Sequence, residues 1–141
     1  MKALILNGPN LNMLGKRDQN HYGTLTLDAL NKLVQETYQD VSFDFFQSNH
    51  EGDLIDKLQA SNHYDFMVIN PAGLSHYSVS LRDAFELVLI PKAVVHLSNI
   101  QEREDYRKQD LFEKLADVYV YGKKENSYIE AIKILIDKYF N

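Results

Sequence analysis

The chain has 141 residues and no cysteine, and its 15 Lys plus Arg against 20 Asp plus Glu give a formal net charge of −5. Disulfides and thiolate metal sites are excluded, and the length suits one domain, residues 1–141, able to bury its own core. The acidic balance offers no basic stripe to nucleic acid. No apolar run nears the roughly 18 residues of a membrane span, and "MKALILNGPN" lacks the long apolar region and cleavage site of a signal peptide. A soluble cytoplasmic protein is expected, with a small molecule as partner and neither nucleic acid nor membrane.

In chain order, short β-type runs alternate with segments of helical period. Ala3 to Asn7, Val41 to Gln47, Asp65 to Asn70, Ala93 to Ser98 and Val118 to Tyr121 read as strands. Between them, Leu27, Leu30, Leu33, Val34 and Tyr38 recur at helical spacing, as do Leu54, Ile55 and Leu58, then Leu81, Ala84, Phe85 and Val88. Helices over Asp110 to Ala116 and Tyr128 to Tyr139 complete the pattern. Ser48 and Glu51 have capping-box spacing at the start of the second helix. Such alternation implies right-handed crossovers and a parallel sheet covered on both faces. At this length the expected architecture is an α/β flavodoxin-like three-layer sandwich with a five-stranded parallel sheet in the order 2-1-3-4-5. The unbroken apolar run "FMVIN" suits a central strand. Ligands of such sheets bind beyond the carboxyl ends of the strands.

The first strand opens into "NGPNLNMLGKRDQNHYG", far longer than the roughly 2 to 6 residues usual for a βα connection. Arg17 and Tyr22 share this glycine-bounded loop, and a guanidinium near a phenol favours phenolate, which makes tyrosine a usable base. Gly8 with Gly15-Lys16 is a near miss for a phosphate loop: the spacing is too long, and Arg17 stands where a Ser or Thr would hold magnesium. His50 and Glu51 read most simply as a helix cap. His76 follows the third strand and His96 ends the fourth, on the rim that also carries Asn7, Asn10 and Asn12. Arg103 and Arg107 could hold a substrate carboxylate or pair with Glu104 and Asp105 on a solvated face. No histidine pair has metal-ligand spacing. Phenol, imidazoles, amides and guanidinium together suit cofactor-free proton transfer on an anionic, hydroxylated substrate.

The segments "ILNGPNLNMLGKR", "YGTLTL", "FFQSNHEGDLIDKL", "VINPAGLSH", "SVSLRDA" and "HLSN" are similar, in order and over nearly the whole chain, to those of type II 3-dehydroquinate dehydratase. The resemblance implies conversion of 3-dehydroquinate to 3-dehydroshikimate without a cofactor, in the shikimate or quinate pathway, by trimers assembled into a dodecamer. It implies that Tyr22 removes the C2 proton to give an enolate, that Arg17 activates Tyr22, and that His96 protonates the departing C1 hydroxyl. Asn10 and Asn12 match loop amides, one holding a water at the enolate. Asn70, His76, the Leu97-Ser98 backbone and Arg107 match the substrate site, and Asp83 matches a residue delivered from a neighbouring subunit.

Several positions depart from the family pattern. Asp18-Gln19 replaces a common Glu-Pro, which is expected to loosen the loop. Tyr77, Gln101 and Ser127 replace a usual Thr, His and Gly. Val94 stands where a Glu commonly orients the catalytic histidine, so another acid, Glu51 or Glu102, would have to reach in. The competing reading is a flavodoxin-like small-anion or nucleotide-binding module without chemistry, which would more naturally have lost Tyr22 or His96.

Overall fold

Successive residues of a strand face opposite sides of a sheet, and here both sides are apolar. The computed structural model describes residues 1–141. Strands β1 (Lys2–Asn7), β2 (Ser42–Gln47), β3 (Phe66–Asn70), β4 (Lys92–His96) and β5 (Val118–Tyr121) pair in parallel in the order β2-β1-β3-β4-β5. Ala3, Ile5, Phe66, Val68, Ala93 and Val95 point to one core, and Leu4, Leu6, Met67, Ile69 and Val94 to the other. Helices α2 (Leu27–Thr37) and α5 (Asn126–Tyr139) close the first core through Leu30, Val34, Tyr128, Ile132 and Leu135. Helices α3 (Glu51–Gln59) and α4 (Val79–Glu86) close the second through Leu54, Leu58, Leu81 and Phe85. This is the flavodoxin-like sandwich and strand order expected. No helix is long and apolar enough to cross a membrane.

Local chemistry moves three boundaries away from expectation. The long loop after β1 contains a one-turn helix, α1 (Gln19–Tyr22), because the Asp18 carboxylate accepts from the Asn20 N–H at 2.9 Å and lies 2.6 Å from His21 Nδ1. Asp18, expected to loosen the loop, is thus the cap of the turn that carries Tyr22.

At the start of α3 the expected capping box does not form. Ser48 Oγ accepts from the His50 N–H at 2.9 Å and donates to Asp53 at 2.8 Å, whereas the Glu51 carboxylate accepts from Ser78 Oγ, the cap residue of α4. Glu51 therefore ties α3 to α4 instead of closing its own helix.

The expected helix over 110–116 is absent, and the segment runs through turns with a short 3-10 helix, Glu113–Leu115. Asp110 Oδ1 accepts the Phe112 N–H at 2.8 Å, and the Leu111 N–H goes to Ser75 O at 2.8 Å. Local side-chain bonding and a tertiary partner take the donors that a helix would need.

Candidate active site

The strand ends bring polar groups together through register alone. Asn7 and Asn70 are paired neighbours on β1 and β3, and both are buried. Their amides are held by one phenol: Tyr128 of α5, fully buried, donates to Asn7 Oδ1 at 2.5 Å and accepts from Asn70 Nδ2 at 3.0 Å. Asn70 Oδ1 accepts the Ala72 N–H at 3.0 Å, so the amide orientation is determined on both atoms. Gly8 lies so close to the chain after β3 that a Cβ there would sit 2.6 Å from Pro71 O. Its role is to let two strand ends meet, which removes the first glycine of the apparent phosphate loop from phosphate binding.

Beyond these ends lies an open cleft of about 360 Å³, counting the space at its mouth. Arg17 and Tyr22 line it from the first loop, Asn70 and His76 from the end of β3, and His96, Leu97 and Ser98 from the end of β4. β4 stops at His96, so Leu97 and Ser98 leave the ladder and reach the cleft. Arg103 and Arg107 complete the wall, and no lysine or carboxylate is part of it.

Tyr22 meets two guanidinium groups. Arg17 Cζ lies 3.7 Å from the ring centroid, and Arg103 Nη1 donates to the Tyr22 hydroxyl at 2.5 Å. Arg103 also reaches Ser98 Oγ at 3.3 Å. Burial lowers the Arg17 pKa from its ordinary value; Tyr22 opposes that shift, and repulsion from Arg103 and Arg107 adds to it. Three cations crowd one cleft, and the buried Nε of Arg103 has no partner. An anion with several oxygens suits both the charge and the open donor.

On the opposite wall, His96 is buried beside an acid. Its Nε2 lies 2.6 Å from Asp110 Oδ2, with the side chains 5% and 1% exposed. Burial alone would raise the Asp110 carboxyl, but hydrogen bonds and charge from His96, then the Phe112 N–H and Tyr119, outweigh it and hold the group below the usual carboxylate range. Neither Glu51 nor Glu102 plays this part: Glu51 is taken by Ser78, and Glu102 is exposed. His76 stacks near His96 at 6.4 Å between centroids and 15° between planes. Burial, with His96 nearby, pushes the His76 imidazole below its ordinary value despite its bond to Gln109 O.

Not every expected site residue gathers here. Asn10, in the left-handed region at φ 70°, is exposed and takes Asn49 Oδ1 with its backbone N–H, while its neighbour Leu11 lines the cleft. Asn12 borders a separate groove with Met13, Lys16 and Asp28. Asp83 is on α4, half-exposed and paired with Arg82 at 3.0 Å, outside the cleft. The cleft contains no group of three or more His, Cys, Asp or Glu placed to hold a metal ion, nor does the rest of the chain.

The family model described as dehydroquinase class II matches residues 1–136. The chain belongs to the class II dehydroquinases. It is 42% identical over 140 residues to the 3-dehydroquinate dehydratase of Thermotoga petrophila, covering 98% of this chain and 96% of that protein. It is also 42% identical over 137 residues to that of Clostridium botulinum, covering 95% and 93%. Among solved structures, the type II dehydroquinase of Butyrivibrio crossotus superposes with a TM-score of 0.92 at 41% identity, covering 96% of this chain and 97% of that one. The type II dehydroquinase of Propionibacterium acnes gives 0.92 at 30% identity, covering 96% of each.

Two groups of this dehydroquinase site have roles that the sequence alone did not decide. Arg103 and Arg107, at helical spacing, suit either a substrate carboxylate or a solvated face with Glu104 and Asp105. The structure separates them: Arg107 pairs with Glu104, and Arg103 turns inward to Tyr22. Asp110 carries no local signal, because its partner His96 lies on a different element.

Proposed function

We propose that this chain dehydrates 3-dehydroquinate to 3-dehydroshikimate and water, the reaction for which its relatives are named, as one catalytic domain spanning residues 1–141. The observation that carries the reading is a phenol gripped by two guanidinium groups across a cleft from a buried imidazole. Tyr22, as phenolate, takes the C2 proton, and the electron pair moves onto the C3 carbonyl to form an enolate. Arg17 and Arg103 keep positive charge against the phenol oxygen before that transfer. Collapse of the enolate then expels the C1 hydroxyl, which leaves as water with a proton from His96. Tyr22 ends protonated and His96 deprotonated, and proton exchange with solvent restores both.

Arg107 and the open donor of Arg103 suit the substrate carboxylate, and Asn70, His76 and the Leu97-Ser98 backbone suit its hydroxyls. Asn10 and Asn12 flank Leu11, the loop residue that lines the cleft, and the family role of such an amide is to hold a water at the enolate oxygen. With no lysine in the cleft wall, the reading has no imine step, and its proton transfers fall to Tyr22 and His96.

Two features support assembly into trimers and a dodecamer. Asp83 is exposed and lies outside its own cleft, as a residue delivered to a neighbour would. Tyr77, Val79, Leu87 and Leu89 leave a large apolar surface beside it, with Leu89 84% exposed. The reading places the protein in the cytoplasm, in the shikimate or quinate pathway and so within reach of aromatic amino acid biosynthesis.

The test is the enone absorbance that appears as 3-dehydroshikimate forms. Wild-type protein should generate it, and Tyr22→Phe should lower kcat about a hundredfold or more with KM little changed. A Tyr22→Phe protein retaining over about a tenth of wild-type kcat would refute the assignment of the base.

A further inference from the structure

The two histidines of the cleft are both held by one short piece of chain. His76 Nδ1 lies 2.8 Å from Gln109 O, and His96 Nε2 lies 2.6 Å from Asp110 Oδ2. A carbonyl oxygen and a carboxylate can only accept, so each of these ring nitrogens must carry the proton. His76 then presents Nε2 as its remaining nitrogen, an acceptor suited to a substrate hydroxyl. His96 keeps Nδ1 as the nitrogen through which a proton can be delivered.

The segment that does this is itself fixed. Asp110 Oδ1 accepts the Phe112 N–H at 2.8 Å, and Oδ2 takes a second donor, Tyr119 OH, at 2.8 Å. The Leu111 N–H reaches Ser75 O at 2.8 Å, next to His76, and Phe112 is fully buried in the second core. Burial, then the charge and hydrogen bond of Asp110, push the Tyr119 hydroxyl well above its ordinary range, so it stays a donor. The carboxylate is thus oriented by three donors, the Phe112 N–H, the Tyr119 hydroxyl and His96 Nε2, and no lysine or arginine is paired with it.

We propose that Asp110 is a positioning residue for the dehydration: it holds one proton of the His96 imidazolium on Nε2, so that the proton on Nδ1 is the one that passes to the leaving hydroxyl and the ring is left neutral with Nε2–H. This rests on the assignment of His96 as the acid. Val94, two residues before His96 and on the same face of β4, is apolar and fully buried, so the strand itself supplies no carboxylate. The acid comes instead from the turn after Arg107, which is also the turn that orients His76. One segment therefore sets the tautomers of both rings.

The experiment compares Asp110→Asn, His96→Ala and the double variant in the enone assay, with 15N spectra of the His96 ring. An asparagine can accept or donate at the same place, so the ring loses its enforced tautomer while the size of the side chain is kept. Asp110→Asn should lower kcat about tenfold or more with KM within about threefold, and the 15N shifts should change from Nε2-protonated to a mixture. In the His96→Ala background the same change should cost nothing further, because it acts through the ring that is gone.

A folded Asp110→Asn protein with wild-type kcat and an unchanged tautomer, alongside a crippled His96→Ala, overturns the role of Asp110 and leaves that of His96. An active His96→Ala protein overturns the assignment of the acid instead. Full additivity in the double variant also overturns the proposal, since it means that Asp110 acts on something other than His96. If Asp110→Asn does not fold, Tyr119→Phe decides: removing one donor to the carboxylate should lower kcat without changing KM, and an unchanged kcat refutes the proposal.

Discussion

A carboxylate beside a catalytic imidazole can be supplied from any element that reaches it, and here the sequence position that would supply it locally holds Val94. Since Asp110 already occupies the imidazole, Val94→Glu should not improve the enzyme. The new carboxylate would enter a fully buried apolar cluster with Met67, Ile69 and Phe112. The expected outcome is a loss of about 3 kcal/mol or more in denaturant unfolding, with no gain in activity at alkaline pH. A stable Val94→Glu protein whose activity extends to higher pH would mean that His96 is not already partnered.

His76 makes a prediction about stability. Its folded-state value is depressed by burial from 6.5, so as pH falls the unfolded chain binds the proton first. Stability from this group is present above the unfolded value and is lost as pH falls through the folded one. The denaturation midpoint should therefore drop from about pH 7 towards pH 5, and His76→Gln should flatten that slope. An equal slope in the variant would place the titrating group elsewhere.

At the scale of elements, the end of α4 shows how a charged group can be buried without a carboxylate in direct contact. Lys92, at the first position of β4, is 8% exposed and donates to Phe85 O at 2.7 Å and Val88 O at 2.9 Å. These are carbonyls of the last turn of α4 and just beyond it, where a helix leaves acceptors unfilled and carries partial negative charge. Burial lowers the Lys92 pKa, and Asp117 and Glu86 oppose that shift. Lys92→Met keeps the stem and removes the donors, so unfolding free energy should fall by about 1–3 kcal/mol while kcat stays unchanged, because the site is at the other end of the strand. A variant as stable as wild type would show that the carbonyls find other donors.

For the whole molecule, the question is what covers α4. Tyr77, Val79, Leu87 and Leu89 are each more than half exposed, around Asp83. If copies of this chain pack there and share Asp83, charge on that surface should break both assembly and turnover. Leu89→Asp should sediment as a smaller species than wild type and lose activity with it, although Leu89 touches no part of its own cleft. Wild-type activity in a monomeric Leu89→Asp protein would show that each cleft is complete alone.

Much of this was legible in the chain because it is local or periodic. Alternation of β-type runs with helical segments yields the parallel sheet and its order, since the spacing of apolar residues depends only on neighbours in sequence. A long polar loop with Arg17 and Tyr22, and histidines at strand ends, place the cleft, because strand ends of such sheets share one rim. The family motifs are contiguous and need no fold to be recognised.

What depended on tertiary structure is what forms between segments distant in sequence. Asp110 reads as the start of a helix until His96, Tyr119 and the Ser75 carbonyl compete for the same stretch and pull it into turns. Arg103 and Arg107 suit a substrate carboxylate or a solvated face equally until the loop carrying Tyr22 brings its hydroxyl to Arg103. Tyr128 reads only as the start of the last helix, yet its hydroxyl sets two amides on β1 and β3. In each case a buried polar group must find a partner, and only the folded chain determines which partner is within reach.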